Sequence, residues 1–216
     1  MKTLVLVPTR SEWDHVRAAL DGSGASGRFD FRCCGFGLVA AAARTMQLIR
    51  EPEIRGVVLA GLAGHFGRTD LMGKAVTFDK VRCHGIGVGL ETTPGEGLES
   101  LTEMGWAHFE DDRQCITDEL SLEPFSAGLP TGTLLSVAAA SGTAEMAARR
   151  RERFPDAIAE DMEGFAVATA CRLAGKRLRI LRGICNAAGD RDHANWRIAE
   201  ACRSIAAGLG DAAFED

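Results

Sequence analysis

Four short segments of this 216-residue chain carry side chains suited to proton transfer or to holding a polar ligand. They are Thr9-Arg10-Ser11-Glu12, Gly61-Leu62-Ala63-Gly64-His65, Glu160-Asp161-Met162-Glu163-Gly164 and Cys185-Asn186-Ala187-Ala188-Gly189-Asp190. Glu12 falls in the first turn of an expected helix, where the macrodipole favours an acid. A general base that takes a proton from water is the competing reading. Glu163 opens another helix. It fits the dipole there, or it accepts hydrogen bonds from vicinal sugar hydroxyls, a task for a group that offers only acceptors. Met162 beside it reads as core filler or as a soft surface against a ring. Asn186 follows an apolar strand, where it closes an Asx-turn or offers a donor and an acceptor together to the edge of a base. Gly61 and Gly64 let the backbone approach a ligand closely, and turn geometry accounts for them equally well.

Other chemistries lack their signatures. Gly35-Phe36-Gly37 is too short for a dinucleotide fingerprint, and no phosphate-binding G-x-x-x-x-G-K-[ST] occurs. No nucleophile elbow G-x-S-x-G is present. His65, His84 and His193 show no metal-ligand spacing. The expectation is a site with no metal and no organic cofactor.

The elements that must position these residues follow from pattern. Residues 2–7 are short, apolar and without alternation, as in a strand buried on both faces. Ser11 or Thr9 caps a helix to about Leu20, and residues 22–27 form a glycine-rich connection. Residues 29–34 predict a second strand. Leu38, Ala42, Thr45 and Ile49 then recur at helical spacing until Pro52 stops the helix. Residues 55–60 predict a third strand ending in the Gly61–Gly64 turn, and residues 74–81 a fourth. Residues 85–97 hold five glycines and one proline and read as a functional loop. Strands at 132–137, 157–160 and 178–185 alternate with helices at 142–154 and 163–174. A last helix, starting near Asn195-Trp196 behind the turn of Asp190, Arg191 and Asp192, shows Ile198, Cys202, Ile205 and Leu209 on one face.

That alternation predicts an α/β fold with a largely parallel sheet, and one domain over residues 1–216 with no repeat or linker. In such sheets ligands collect beyond the carboxyl ends of the strands, where all four segments fall.

Composition narrows the class. Hydrophobic residues make up 46% and charged residues 25%, which fits a globular chain with a core of its own. The net charge of −5 argues against a dedicated nucleic-acid binder. Mean hydropathy is −0.02 and no apolar run approaches 18 residues, which excludes a transmembrane helix. Met1 to Val7 lacks the regions of a signal peptide, so a cytoplasmic location is expected. The seven cysteines are odd in number and form no C-x-x-C pair; they read as reduced core residues.

Taken in order, the segments resemble the nucleoside phosphorylase and nucleosidase family over nearly the whole chain. Gly35-Phe36-Gly37 resembles its Gly-Ile-Gly segment, Gly61-Leu62-Ala63-Gly64 its strand-end glycine turn, and Asp161-Met162-Glu163-Gly164 its Met-Glu motif. Closer to one hydrolase subgroup are Ser141-Gly142-Thr143-Ala144-Glu145, the Gly85-Ile86-Gly87-Val88 loop, and the tail from Arg182-Gly183-Ile184-Cys185-Asn186 to Trp196-Arg197-Ile198. The resemblance implies a three-layer α/β/α fold around a central mixed, largely parallel sheet. It implies hydrolysis of an N-ribosidic bond through an oxocarbenium-like state, with a nucleoside and water as partners and a homo-oligomer as the assembly. It places Glu12 as the base that activates water, Glu163 at the ribose hydroxyls and Asn186 at O6 and N7 of a 6-oxopurine; Met162, Asp161, Gly61, Ala63 and Gly64 line the substrate. Adenine-directed members carry Asp where Asn186 stands, so an adenine-releasing nucleosidase is the nearest alternative. A phosphorylase is the next, and Pro8-Thr9-Arg10-Ser11 lacks the glycines of a phosphate loop. Cys185, Phe165 and Ser136 depart from the family pattern and are expected to reshape the pocket.

Overall fold

The computed structural model describes residues 2–20, 29–90, 97–123, 125, 128–210 and 214. Strand β1 (Lys2–Val7) is flanked by β2 (Phe29–Cys33) and β3 (Ile54–His65), both parallel to it. Its four apolar residues divide by parity. Leu4 and Leu6 enter one core, and Val5 and Val7 enter another on the opposite face. The unalternated run seen in the sequence is thus burial on both faces at once.

Helices α1 (Arg10–Leu20) and α5 (Ile198–Leu209) cover one face, and α2 (Gly37–Leu48) and α4 (Gly164–Leu173) the other. In α5, Cys202, Ile205 and Leu209 are buried on the expected stripe. The remaining sheet strands are β4 (Ala75–His84), β10 (Thr131–Val137), β11 (Ala157–Asp161) and β12 (Arg177–Ala187), with helix α3 (Ala144–Arg153) between β10 and β11. The sheet runs β2-β1-β3-β12-β4-β10-β11, with the short β9 (Glu119–Ser121) beside β4, and three of its pairings, β12–β4, β4–β9 and β11–β3, are antiparallel. This is the three-layer arrangement with a mixed, largely parallel sheet.

The sheet also curls. Strand β11 returns to pair with β3, Ala159 opposite His65 and Glu160 opposite Gly64, so that five strands close a ring. Because the pairing is antiparallel, the chain beyond Glu160 runs back along β3, toward Gly61 and its β12 partner Arg182. The simple layer reading did not include this closure, which brings the Met-Glu segment over the middle of β3.

Helix α2 ends at Leu48, four residues before Pro52 and the point at which a proline ring blocks the helix carbonyl, with Ile49 as its C-cap. Several boundaries differ from expectation. Strand β3 continues through Gly61–Gly64, which is therefore strand and not a turn. Strand β12 likewise includes Asn186, so that residue does not close a turn behind the strand. Residues 85–97 contribute to a hairpin of β5 (Gly87–Leu90) and β6 (Gly97–Ser100), while 91–96 and the 22–27 connection lie outside the described residues. Strands β7 (Phe109–Glu110), β8 (Cys115–Ile116) and β9 (Glu119–Ser121) are too short to leave a pattern in sequence. Five cysteines are buried as expected, but Cys33 and Cys115 are exposed; all seven are free. Among the described residues no helix is long and apolar enough to cross a membrane.

The α5 layer rests directly on backbone at Gly183, where an added Cβ would stand 2.7 Å from the Ala201 carbonyl oxygen and 2.9 Å from its carbon. Gly183→Ala is expected to push α5 off the sheet at a cost of about 1–3 kcal/mol, the usual effect of overpacking. Calorimetric melting should show the loss as a fall of several degrees.

Candidate active site

Arg182 sits in the middle of β12 with a fully buried side chain. A buried guanidinium requires acids around it. Its Nε and Nη2 donate to Asp161 Oδ2, the former at 3.0 Å, and Nη2 also donates to Glu163 Oε2 at 3.1 Å. Nη1 is buried and has no hydrogen-bond partner among the described residues.

The space beside Nη1 belongs to Glu12. A Cβ on Gly61 would stand 2.3 Å from Arg182 Nη1 and 3.2 Å from Glu12 Oε1, so the glycine makes room for both groups. Gly61 thus leaves room for side chains of this protein.

Glu12 serves its helix as well. Thr9 Oγ1 accepts from Glu12 N at 3.2 Å, while Glu12 Oε2 accepts from Thr9 N at 3.0 Å and from the Thr9 hydroxyl at 2.8 Å, a reciprocal capping box. Oε1 accepts from Leu62 N of β3 at 2.9 Å. Three of the carboxylate's four lone-pair positions are then taken, and the open one is on Oε1. This acceptor and the unpaired buried Nη1 donor both border the space at Gly61, and a water there would satisfy both.

Glu163 is the N-cap residue of α4, yet its side chain caps nothing. Asp161 Oδ2 accepts from Gly164 N at 2.9 Å, and Ser136 Oγ accepts from Phe165 N at 2.8 Å. With the helix end satisfied by these two residues, Glu163 Oε1 is free to accept from Gly37 N at 2.9 Å. Gly37 has φ +79°, a left-handed conformation suited to glycine, at the turn into α2. Burial raises the Glu163 pKa to about 7; Arg182 opposes the rise, and Asp161 and Glu12 add to it. The carboxylate keeps lone pairs for a diol.

Asn186 lies where a β-bulge at Cys185 shifts the β12–β3 register, pairing Asn186 with Gly64. A Cβ on Gly64 would stand 3.3 Å from Asn186 Oδ1. Asn186 Nδ2 donates to the carbonyls of Ala187, at 2.9 Å, and Asp190, at 3.1 Å. Two carbonyls accept only from the nitrogen end, so the amide's direction is settled. Both Asn186 donors are thus engaged within the chain, and Oδ1 accepts from the Cys185 thiol at 3.3 Å, which leaves the oxygen one further lone pair.

Of the remaining residues, Met162 is half-buried against the small core that holds Phe66 and Ala188. Ala63 is buried, and its carbonyl faces the Cys185 thiol at 3.8 Å. Asp161 was expected at the substrate; both its oxygens are engaged, Oδ1 by the Ser136 hydroxyl at 2.5 Å, so it holds Arg182 and α4 in place instead. Phe165 is core, 4.9 Å from the His108 ring between centroids. Burial pushes the Cys185 thiol up to about 12, which leaves it inert. Arg182 is the functional residue that sequence reasoning passed over. The signal was present: an arginine, one of two with Arg179, set among the apolar residues from Leu178 to Ile184.

Residues 31–210 match the Phosphorylase superfamily. A futalosine hydrolase of Streptomyces coelicolor is 33% identical over 187 residues, 84% of this chain and 77% of that protein. A 5'-methylthioadenosine/S-adenosylhomocysteine nucleosidase of Chromohalobacter salexigens is 29% identical over 161 residues, 72% of this chain and 65% of that protein. In fold, the Neisseria meningitidis nucleosidase of the same name, in complex with methylthio-immucillin-A, superposes with a TM-score of 0.71 at 20% identity, covering 95% of this chain and 96% of its own.

A carboxyl group whose pKa is raised by folding binds its proton more tightly in the native state than in the unfolded one. Stability therefore falls as pH rises from about 4.5 to about 7 and stays lower above that. Glu163→Gln removes this dependence. The melting temperature of the variant relative to the parent should rise between pH 5 and pH 8; a constant or falling difference would show that the carboxylate carries no such penalty.

Proposed function

The chain belongs to the phosphorylase superfamily and is an N-glycosyl hydrolase, and from that premise we propose that it cleaves the N-ribosidic bond of futalosine, releasing hypoxanthine and dehypoxanthine futalosine in menaquinone biosynthesis. The observation that carries the hydrolytic step is that Arg182 Nη1, a buried donor without a partner, and Glu12 Oε1 both border Gly61. The guanidinium orients a water, and Glu12 takes its proton as the oxygen attacks the anomeric carbon. Glu163 accepts from the ribose hydroxyls. Its negative charge also favours the positive charge that grows on the ring as the base departs. Met162 packs against the sugar or base.

The leaving base is read from Asn186. With Nδ2 held by Ala187 and Asp190, the amide donates no proton to a purine nitrogen. A 6-oxopurine suits such a site, because it spreads the departing negative charge onto O6 and needs less protonation than adenine does. Solvent water supplies the proton that neutralises the departing base, and Oδ1 accepts from the ring N–H so formed, while Glu12 later returns its own proton to solvent. Three futalosine hydrolases at 31–33% identity support the same substrate. The assembly we propose is a homo-oligomer, consistent with Phe36 and Val39, 64% and 85% exposed at the start of α2 beside Gly37. No metal or organic cofactor enters the reaction we propose, and a cytoplasmic location goes with it.

Purified protein should release hypoxanthine from futalosine at a rate indifferent to phosphate; a strict phosphate requirement would instead identify a phosphorylase. Glu12→Gln should lower kcat by about 10²–10⁴-fold, the usual contribution of a general base, with the melting temperature little changed. Near-parental turnover in that variant would remove Glu12 from the mechanism.

Asn186→Asp places an acid against the Ala187 and Asp190 carbonyls, where it retains a proton it can donate. The ratio of kcat/KM for futalosine over methylthioadenosine should fall by about tenfold or more. An unchanged ratio would mean that another residue reads the base.

A further inference from the structure

A second buried charge cluster lies on the base side of the site, and the reaction above makes no use of it. Glu160 and Ser141 are 5% and 1% exposed. Glu160 Oε1 accepts from Ser141 N at 2.8 Å, and Oε2 accepts from the Ser141 hydroxyl at 2.7 Å and from Arg150 Nη1 at 2.8 Å. Arg150, in the last turn of α3, also donates from Nη1 to Ser141 Oγ at 3.0 Å and from Nη2 to the Ala139 carbonyl at 2.8 Å. Thr143, at the other end of the same turn, caps α3 by accepting from Met146 N at 3.2 Å. Apart from the Arg150–Glu160 pair itself, the polar contacts of the cluster all go to residues 139–143, which follow β10.

That turn abuts the one that holds Asn186. Gly189 has φ +88°, and a Cβ on it would stand 2.3 Å from the Thr143 carbonyl oxygen. The 187–190 turn is thus seated on the 139–143 turn without space for a side chain. The same 187–190 turn supplies the Ala187 and Asp190 carbonyls that direct Asn186 Nδ2. In the sheet, Glu160 of β11 and Asn186 of β12 both pair with Gly64 of β3, one on each side. The cluster and the amide are anchored to one point of the closed ring.

We propose that Arg150, Glu160 and Ser141 form a positioning unit for base recognition: they fix the 139–143 turn, which seats the 187–190 turn and so aims the Asn186 amide. The inference rests on the reading of Asn186 as the residue that faces the purine. These three residues touch no reacting atom; they select between bases by holding a recognising group in one direction. A buried ion pair is weak evidence of a stability role, whereas enforcing one geometry is a documented use of such pairs. Second-layer partners of this kind tune the group they orient.

The test measures Kd for free hypoxanthine and for free adenine by calorimetry on the full-length chain, together with kcat/KM for futalosine and methylthioadenosine. The variants are Glu160→Gln, Ser141→Ala, Gly189→Ala and Arg150→Lys, each with its melting temperature. The expected result is a shift of about tenfold or more in the hypoxanthine-to-adenine Kd ratio for Ser141→Ala and Gly189→Ala, larger in Glu160→Gln, and smallest in Arg150→Lys, which keeps the charge. A merely structural role would weaken both bases by the same factor. An unchanged ratio in Ser141→Ala and Gly189→Ala, with both folded, overturns the proposal even if Glu160→Gln fails to fold. A parental protein that binds base and releases none overturns the proposed function and leaves the positioning unit standing. One that binds neither base overturns both.

Discussion

One buried cation organises the functional end of this molecule. Arg182 stands in a strand covered on both faces, and its charge is tolerable only because Asp161 and Glu163 are brought against it. Removal of such a partner leaves a charge uncompensated in the interior, at a cost of about 3–5 kcal/mol. The ring closure of β11 on β3 is what delivers those acids, since the antiparallel pairing turns the chain back along β3 at the level of Gly61. Fold and site are therefore one constraint. The sheet must curl for the arginine to be paired.

Around this centre, structural and chemical duties fall to different residues. At α4, Asp161 and Ser136 satisfy the helix end, and Glu163 is left facing the site with a raised pKa. At α1, one residue does both. Glu12 closes a capping box through Oε2 and keeps Oε1 toward Arg182. The readings of Glu12 as an acid suited to its helix and as a base are thus compatible, because a carboxylate has two oxygens and the helix uses mainly one. Glu163 likewise stands at the N-cap position of α4, where the dipole suits an acid, while its oxygens serve Gly37 and Arg182 and make no cap hydrogen bond. Asn186 follows the first pattern: its nitrogen braces a turn and its oxygen remains available.

Much of the architecture was legible in the sequence. The double-sided strands announced themselves as unalternated apolar runs, and β1 runs Lys2–Val7 as expected. The α5 stripe at Cys202, Ile205 and Leu209 followed from helical periodicity. What escaped were pairings of two or three residues, such as Phe109–Glu110 with Cys115–Ile116, which are too short to carry a period. Glycine was the least legible residue. Gly61 and Gly64 read as a turn because glycine ordinarily marks one, whereas here each omits a side chain where another group must pass.

The sequence by itself determined which chemistry was available: two acids and an amide at strand ends, no nucleophile elbow, no phosphate loop, and strands and helices in an alternating order. Those properties are local, since residue type and a period of two or 3.6 do not depend on distant neighbours. Only the tertiary structure decided how the groups are used. Which oxygen of Glu12 stays open, which acid caps α4, which way the Asn186 amide points and where Arg182 leaves a donor unpaired are set by local contacts three residues along the chain together with partners 19 to 126 residues away, and by a turn seated on another turn. Hydrogen-bond capacity is shared out among neighbours in space, and a list of residues in chain order does not contain that allocation.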